Sequence, residues 1–177
     1  RAREEPVERV LLVARWSYYT NIDPISGYRQ TIFDTDAQDF SLNGARVALS
    51  KGLRKTVDAF SERGVKSFAL LQAPQHPYSV PEIMTKAQIL GVSPESYSTD
   101  RMSHHAFQSV PTRLLQAVPN LSLIDPEPAF CMANGECRQF EGETPLYLDR
   151  DHVNSLGSAR LAPILEPFLD GLATKPE

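Results

Sequence analysis

Residues 9–15, RVLLVAR, are apolar at every position from 10 to 14. Alternation would mark a strand with one wet face. An unbroken short run of Val and Leu marks a strand covered on both faces, as in a parallel sheet layered with helices. That one feature constrains the rest of the chain, because parallel strands need long crossovers, usually helical. The pattern after it complies. Residues 45–63 set Leu49, Leu53, Val57 and Phe60 at helical spacing, with Ser41 or Asn43 as the cap and Gly64 as the stop. VKSFALL (65–71) is a second apolar strand. Residues 73–82, APQHPYSVPE, carry three prolines and read as an ordered surface loop. Residues 98–118 return to helical spacing with Met102, Phe107, Leu114, Leu115 and Val118, and Pro111 is expected to kink that helix or begin a second. A third strand, 121–124, and a last helix over about 155–172, with Leu161, Leu165, Phe168 and Leu169 inward, complete the series. The alternation predicts an α/β layered fold with a parallel sheet and RVLLVAR near its centre.

No repeat, low-complexity segment or linker interrupts the 177 residues, 41% of them hydrophobic, so residues 1–177 are expected to form one domain with solvated ends RAREEP and ATKPE. The longest apolar run is about five residues against the roughly 18 a membrane span requires, so none of these residues is expected to cross a bilayer. A net charge of −4 with 18 scattered Lys and Arg argues against a nucleic-acid partner. Cys131 and Cys137 stand at the ends of CMANGEC, whose Asn134-Gly135 turn swings them together. They are placed to form a disulfide, which persists in an oxidising compartment and points to an extracytoplasmic address. Two reduced loop cysteines are the alternative. No second Cys/His pair stands at ligand spacing, so no metal is expected, nor any cofactor.

The chemistry-bearing stretch is LYLDRDHVN, 146–154. Acyl chemistry on a serine or cysteine needs an imidazole to take the nucleophile's proton and a carboxylate to fix the ring's tautomer. Asp149, three residues before His152 and ahead of the last helix, can fold back onto Nδ1 and leave Nε2 outward. Asp151, the immediate neighbour, is expected to point into solvent. His76, in the proline loop, and the adjacent His104 and His105 read as structural or surface residues. Ser155, Ser158 and Asn154 lie where a helix cap and first turn belong. Ser17 follows a strand end and is the least implausible nucleophile of the serines considered, though no Gly-flanked turn presents it.

The stretches VLLVARWSYY (10–19), VKSFALLQAPQHP (65–77), NLSLIDPEPAFCMANGEC (120–137) and PLYLDRDHVNSLGSARLAPIL (145–165) together resemble the periplasmic SGNH domain that accompanies the membrane-embedded part of bacterial acyltransferase-3 proteins. The resemblance implies a three-layer α/β/α flavodoxin-like fold in which Asp149 and His152 complete a Ser-His-Asp triad. The implied activity is O-acyl transfer, usually of acetyl, from an acyl donor to hydroxyls of a cell-envelope glycan. The implied setting is the periplasmic part of an inner-membrane protein with a transmembrane acyltransferase domain as partner. Two departures follow. The family's Gly-Asp-Ser nucleophile motif is nowhere in these residues, so the first strands and the serine are expected on a segment missing here, leaving residues 10–14 as an uncovered edge and this fragment inactive alone. Where the wider superfamily places the Gly-x-Asn of an oxyanion hole, this chain has Ala14-Arg15-Trp16-Ser17. Arg15 is therefore a candidate oxyanion or substrate ligand, with Trp16 and Tyr18 as an aromatic face for a sugar; the alternative is a core Trp16 and an Arg15 paired to an acid. The competing functions are a noncatalytic glycan- or partner-binding module and a carbohydrate acetyl esterase.

Overall fold

The computed structural model describes residues 7–23, 27 and 32–169. The three apolar runs become β1 (Arg9–Val13), β2 (Lys66–Leu70) and β3 (Leu121–Ile124). They pair in parallel in the order β1-β2-β3, with Leu11 opposite Phe68 and Ala69 opposite Leu123. The sheet is the expected parallel one, and among the described residues the one neighbour of β1 is β2, so it stands at the edge that the family resemblance implies for residues 10–14 and not near the centre that its apolar run suggests.

The described residues gather into two units, one running to Gln72 and resuming over Phe107–Ile124, the other comprising Ala73–Ala106 and the chain from Asp125 on. The first holds the sheet. A short helix α1 (Trp16–Thr20) follows β1, and α2 (Leu42–Ser61) returns the chain to β2. Of the two candidate caps, Ser41 is the one used: its Oγ accepts from the Gly44 N–H at 3.0 Å. Only glycine fits at 44, since a Cβ would sit 2.3 Å from the Asp39 carbonyl. Leu53 and Val57 are buried on the inner face of α2, where they meet Trp16, Ala69, Leu115 and Val118 in one core.

Helix α4 (Arg101–Gln116), the next long helix after α3 (Val80–Leu90), runs through Pro111 without a break. Pro111 has no N–H, which leaves the Phe107 carbonyl four residues back without its helical donor. Asn21 supplies one, donating from Nδ2 to that oxygen at 2.7 Å. The expected pattern errs at the start of this helix, where Met102 is exposed while His104 and Gln108 take buried positions.

The second unit contains a helix where the three prolines suggest only loop. Helix α3 (Val80–Leu90) starts just after Ser79, whose hydroxyl and Glu82 form a reciprocal capping box, and ends at Gly91 in the left-handed conformation. Pro81 falls in the first turn, where its missing N–H costs nothing. After α5 (Glu127–Phe130), Cys131 and Cys137 are joined by the expected disulfide. Two-residue antiparallel ladders tie Thr99 to Cys137 and Phe140 to Pro145. The last helix is shorter than predicted: α6 (Ser155–Ala159) gives way to a 3-10 turn at Pro163–Leu165 and a final turn, α7 (Glu166–Leu169), because Pro163 and Pro167 cannot extend the ladder. Residues 170–172 of that expected helix lie outside the described residues. The core of this unit is Phe130, Leu146 and Tyr147, flanked by Val80, Ala129, Val153 and Leu161. No described helix is long and apolar enough to cross a membrane.

Candidate active site

The motif 146–154 is a closed loop standing on the core of the second unit. Leu146 and Tyr147 are buried, a bridge pairs Tyr147 with Val153, and the Leu148 N–H donates to the His152 carbonyl at 2.7 Å. Asn154 then caps α6, its Oδ1 accepting from the N–H groups of Leu156 and Gly157 at 2.9 and 3.0 Å. Gly157 is required there, because a Cβ would come within 2.2 Å of the Leu146 carbonyl. Asp149, Arg150 and Asp151 are left at the tip.

The Asp149 carboxylate divides its work between its two oxygens. Oδ1 accepts the backbone N–H of Asp151 at 2.9 Å and of His152 at 2.8 Å, and Oδ2 faces Nδ1 of His152 at 2.8 Å. Partial burial of Asp149 pushes its carboxyl up, but the two N–H donors and the imidazole outweigh that and hold it down at about 2. It is an anion throughout the neutral range. An acceptor-only partner requires a proton on Nδ1, so in the neutral ring the lone pair lies on Nε2. His152 is 69% exposed and Asp149 45%. No described residue of the unit hydrogen-bonds Nε2.

Asp151 does not point into solvent. Its side chain is 7% exposed, with Oδ1 3.7 Å from Nδ1 of His152. It lies close enough to Tyr147 that its charge adds to burial in pushing the phenol's pKa up. The tight loop folded over the buried tyrosine turns the Asp151 carboxylate inward, while that of Asp149 stays 45% exposed against the His152 ring. One ligand atom each from Asp149, Asp151 and His152 lie within 4.8 Å of one another, close enough for a cation. An ion held through Nδ1 would displace the proton that Nδ1 shares with Asp149, so the base and ligand uses of that nitrogen exclude each other.

Of the structural and surface roles that the sequence allows His76, the structural one holds, for it is buried. Its N–H donates to the Arg150 carbonyl at 2.9 Å, its ring packs edge-on against Tyr147 at 4.7 Å, and its Nδ1 accepts from the Thr99 N–H at 3.4 Å. Burial, aided by His104, pushes it down to about 3, so it is neutral and braces the loop tip without acid–base duty.

Arg15, Trp16 and Tyr18 belong to the first unit. Trp16 is 4% exposed and donates from Nε1 to the Leu70 carbonyl at 2.7 Å, so its ring is core and offers no face to a sugar. The Arg15 guanidinium pairs with the Asp23 carboxylate at 3.0 Å and lies over the Tyr18 ring, 5.1 Å from its centroid. The structure thus brings Arg15 together with Tyr18, and Asp149 with His152. Ser17 is 2% exposed, and its Oγ donates to Gln72 Oε1 at 2.8 Å, a buried brace rather than a presented nucleophile. Ser155 and Ser158 are exposed in the first turn of α6.

A parallel α/β sheet, and a loop in which a carboxylate faces an imidazole, are features that hydrolytic and acyl-transfer chemistry can use. The family described as SGNH domain (fused to AT3 domains) matches residues 1–167, and the chain belongs to that family. No curated protein matches the sequence. Membership supports acyl-transfer or hydrolase-like chemistry of the acyltransferase or esterase type, and the fusion implies a transmembrane acyltransferase domain as partner.

Proposed function

We propose that this domain carries out O-acyl transfer, chiefly of acetyl, to hydroxyls of a bacterial cell-envelope glycan, with His152 as general base and acid, Asp149 as its orienter and the nucleophilic serine supplied from outside these residues. The observation that carries the reading is the pair itself: Nδ1 held at 2.8 Å by a carboxylate whose other oxygen is pinned by two N–H groups, with Nε2 accessible. In the first half-reaction the serine Oγ attacks the donor's carbonyl carbon as its proton passes to Nε2, and the tetrahedral intermediate collapses with that proton going to the leaving group. In the second half a glycan hydroxyl gives its proton to Nε2 and attacks the acyl-serine ester; Nε2 then returns the proton to Oγ. Through both halves Asp149 stabilises the transient imidazolium.

The disulfide and the family's fusion to AT3 domains support a periplasmic location within an inner-membrane protein, with the partner domain supplying the acyl donor. The test is acetyl transfer by the full-length protein, with and without His152→Ala. Transfer lost by 10³-fold or more in the variant is expected. Acyl release to water with no transfer to any glycan identifies an esterase. Glycan binding with no turnover in the wild type identifies a noncatalytic module and ends the catalytic reading.

A further inference from the structure

The two carbonyls at the tip of the motif, those of Asp149 and Arg150, are both captured from beneath. Arg150 is held by the backbone of His76, as described. The Asp149 carbonyl is held by a side chain far less expected: Gln139, two residues past the disulfide and 0% exposed, donates from Nε2 at 2.6 Å. The same nitrogen donates its second hydrogen to the Tyr78 carbonyl at 3.1 Å. Two carbonyls can be met only by a donor, so the amide's orientation follows from its partners. Its Oε1 is buried and meets no donor among the described residues. A buried amide with an orphaned acceptor is a poor device for stability alone, because leaving such an atom unpaired offsets much of what the two bonds contribute.

We propose that Gln139 is a positioning residue for the Asp149–His152 pair. By fixing the Asp149 carbonyl it sets the backbone from which the carboxylate reaches back to Nδ1, and it links that backbone to Tyr78 in the proline loop. The segment bearing Gln139 is itself anchored by the Cys131–Cys137 disulfide and by its own carbonyl, which accepts from the Leu146 N–H at 2.9 Å. The amide therefore transmits the rigidity of the disulfide loop to the motif. Its importance for turnover rests on the reading of His152 as a base; its effect on geometry does not.

The experiment uses the full-length protein with ¹⁵N-labelled histidine and two variants. Gln139→Met keeps length and volume but has no donor. Gln139→Asn keeps the amide and withdraws it by about 1.5 Å, one methylene. The readouts are the hydrogen-bonded Nδ1–H resonance of His152, acetyl-ester kcat and KM, and the melting temperature. Gln139→Met removes one orphaned acceptor but leaves the Asp149 and Tyr78 carbonyls without their donor, so its melting temperature is expected to fall by a few degrees, too little to unfold the protein at the assay temperature. The Nδ1–H resonance is expected to broaden or vanish in both variants, and kcat to fall at least tenfold with KM within twofold of wild type. A wild-type resonance and kcat in Gln139→Met overturn the proposal, and if that variant does not fold, the same result in Gln139→Asn does so. A lost resonance in a protein whose wild type shows no His152-dependent turnover upholds the positioning role and removes only the catalytic reading.

Discussion

Replacing Asp149 by Asn separates the orienting role of this carboxylate from its contribution to stability. The Asn Oδ1 can keep accepting the N–H groups of Asp151 and His152, so the loop retains its shape. Its Nδ2 then stands where Oδ2 faced Nδ1 at 2.8 Å, and a donor there forces Nδ1 to become the acceptor. The ring proton moves to Nε2, which can no longer take a proton from a hydroxyl. Loss of the correct tautomer costs about 10⁴-fold in turnover, equivalent to roughly 5 kcal/mol. The stability term is much smaller. The carboxyl's fall from 3.8 to about 2 corresponds at face value to about 2 kcal/mol, and because the side chain is 45% exposed, solvent screening reduces it to about 1 kcal/mol. The folded value lies below the unfolded one, so this contribution is present above about pH 4 and is lost as the pH falls through 3.8 toward 2. A loss of about 1 kcal/mol lowers the melting temperature by roughly 2–4 °C, which cannot unfold enough protein at 25 °C to mimic a 10⁴-fold defect. Steady-state turnover of the full-length variant at pH 7, with melts at pH 7 and pH 2.5, checks both terms. Turnover within tenfold of wild type, or a loss that tracks the unfolded fraction, would refute the argument.

Replacing Cys131 and Cys137 by Ser should cost about 2 kcal/mol, since the bond closes a small loop, and a thiol reductant should lower the wild-type melting temperature but not that of the double variant. His76 is neutral when folded and titrates near 6.5 when unfolded, so wild-type stability should fall as the pH drops from about 6.5 toward 3, by roughly 1.4 kcal/mol per pH unit. His104, also lowered, adds to it with the same sign; a denaturant titration across that range should show a shallower slope in His76→Phe, and an unchanged slope would mean that His76 is already charged in the fold. Gly157→Ala drives a Cβ against the Leu146 carbonyl and should cost about 1–3 kcal/mol, read as a lower denaturation midpoint.

The parts of this fold that could be read from the sequence are those whose cause is local. The runs around positions 10–14, 65–71 and 121–124 are strands, as short Val- and Leu-rich runs suggest, but the burial on both faces that such a run implies holds mainly for β2: no residue of β1 is fully buried and Val13 is 64% exposed. The Asp149–His152 pair is visible because three residues of chain suffice to fold one side chain onto the other. The same locality made Cys131 and Cys137 readable as a bonded pair across an Asn-Gly turn. Helix α3 is hidden for a related reason: three prolines suggest a loop, although Ser79 and Glu82 spell the capping box that makes a first-turn proline favourable. The edge position of β1 depends on which strands stand beside it: RVLLVAR by itself suggests a centre, and the expectation of an edge comes from the family resemblance alone. What stayed hidden are the polar braces. Asn21 completes the bond that Pro111 removes from a carbonyl 86 residues away, and Gln139 reaches a carbonyl 61 residues before it. Every residue carries a carbonyl, so composition and periodicity cannot mark which one a buried amide will hold. The Asp149–His152 pair and its support therefore differ in kind: the pair is encoded in nine consecutive residues, while the geometry that the proposed base requires depends on side chains that look replaceable until their partners are seen. Substitutions at Gln139 and His76, unremarked in the motif, are accordingly the ones expected to alter His152 without touching it.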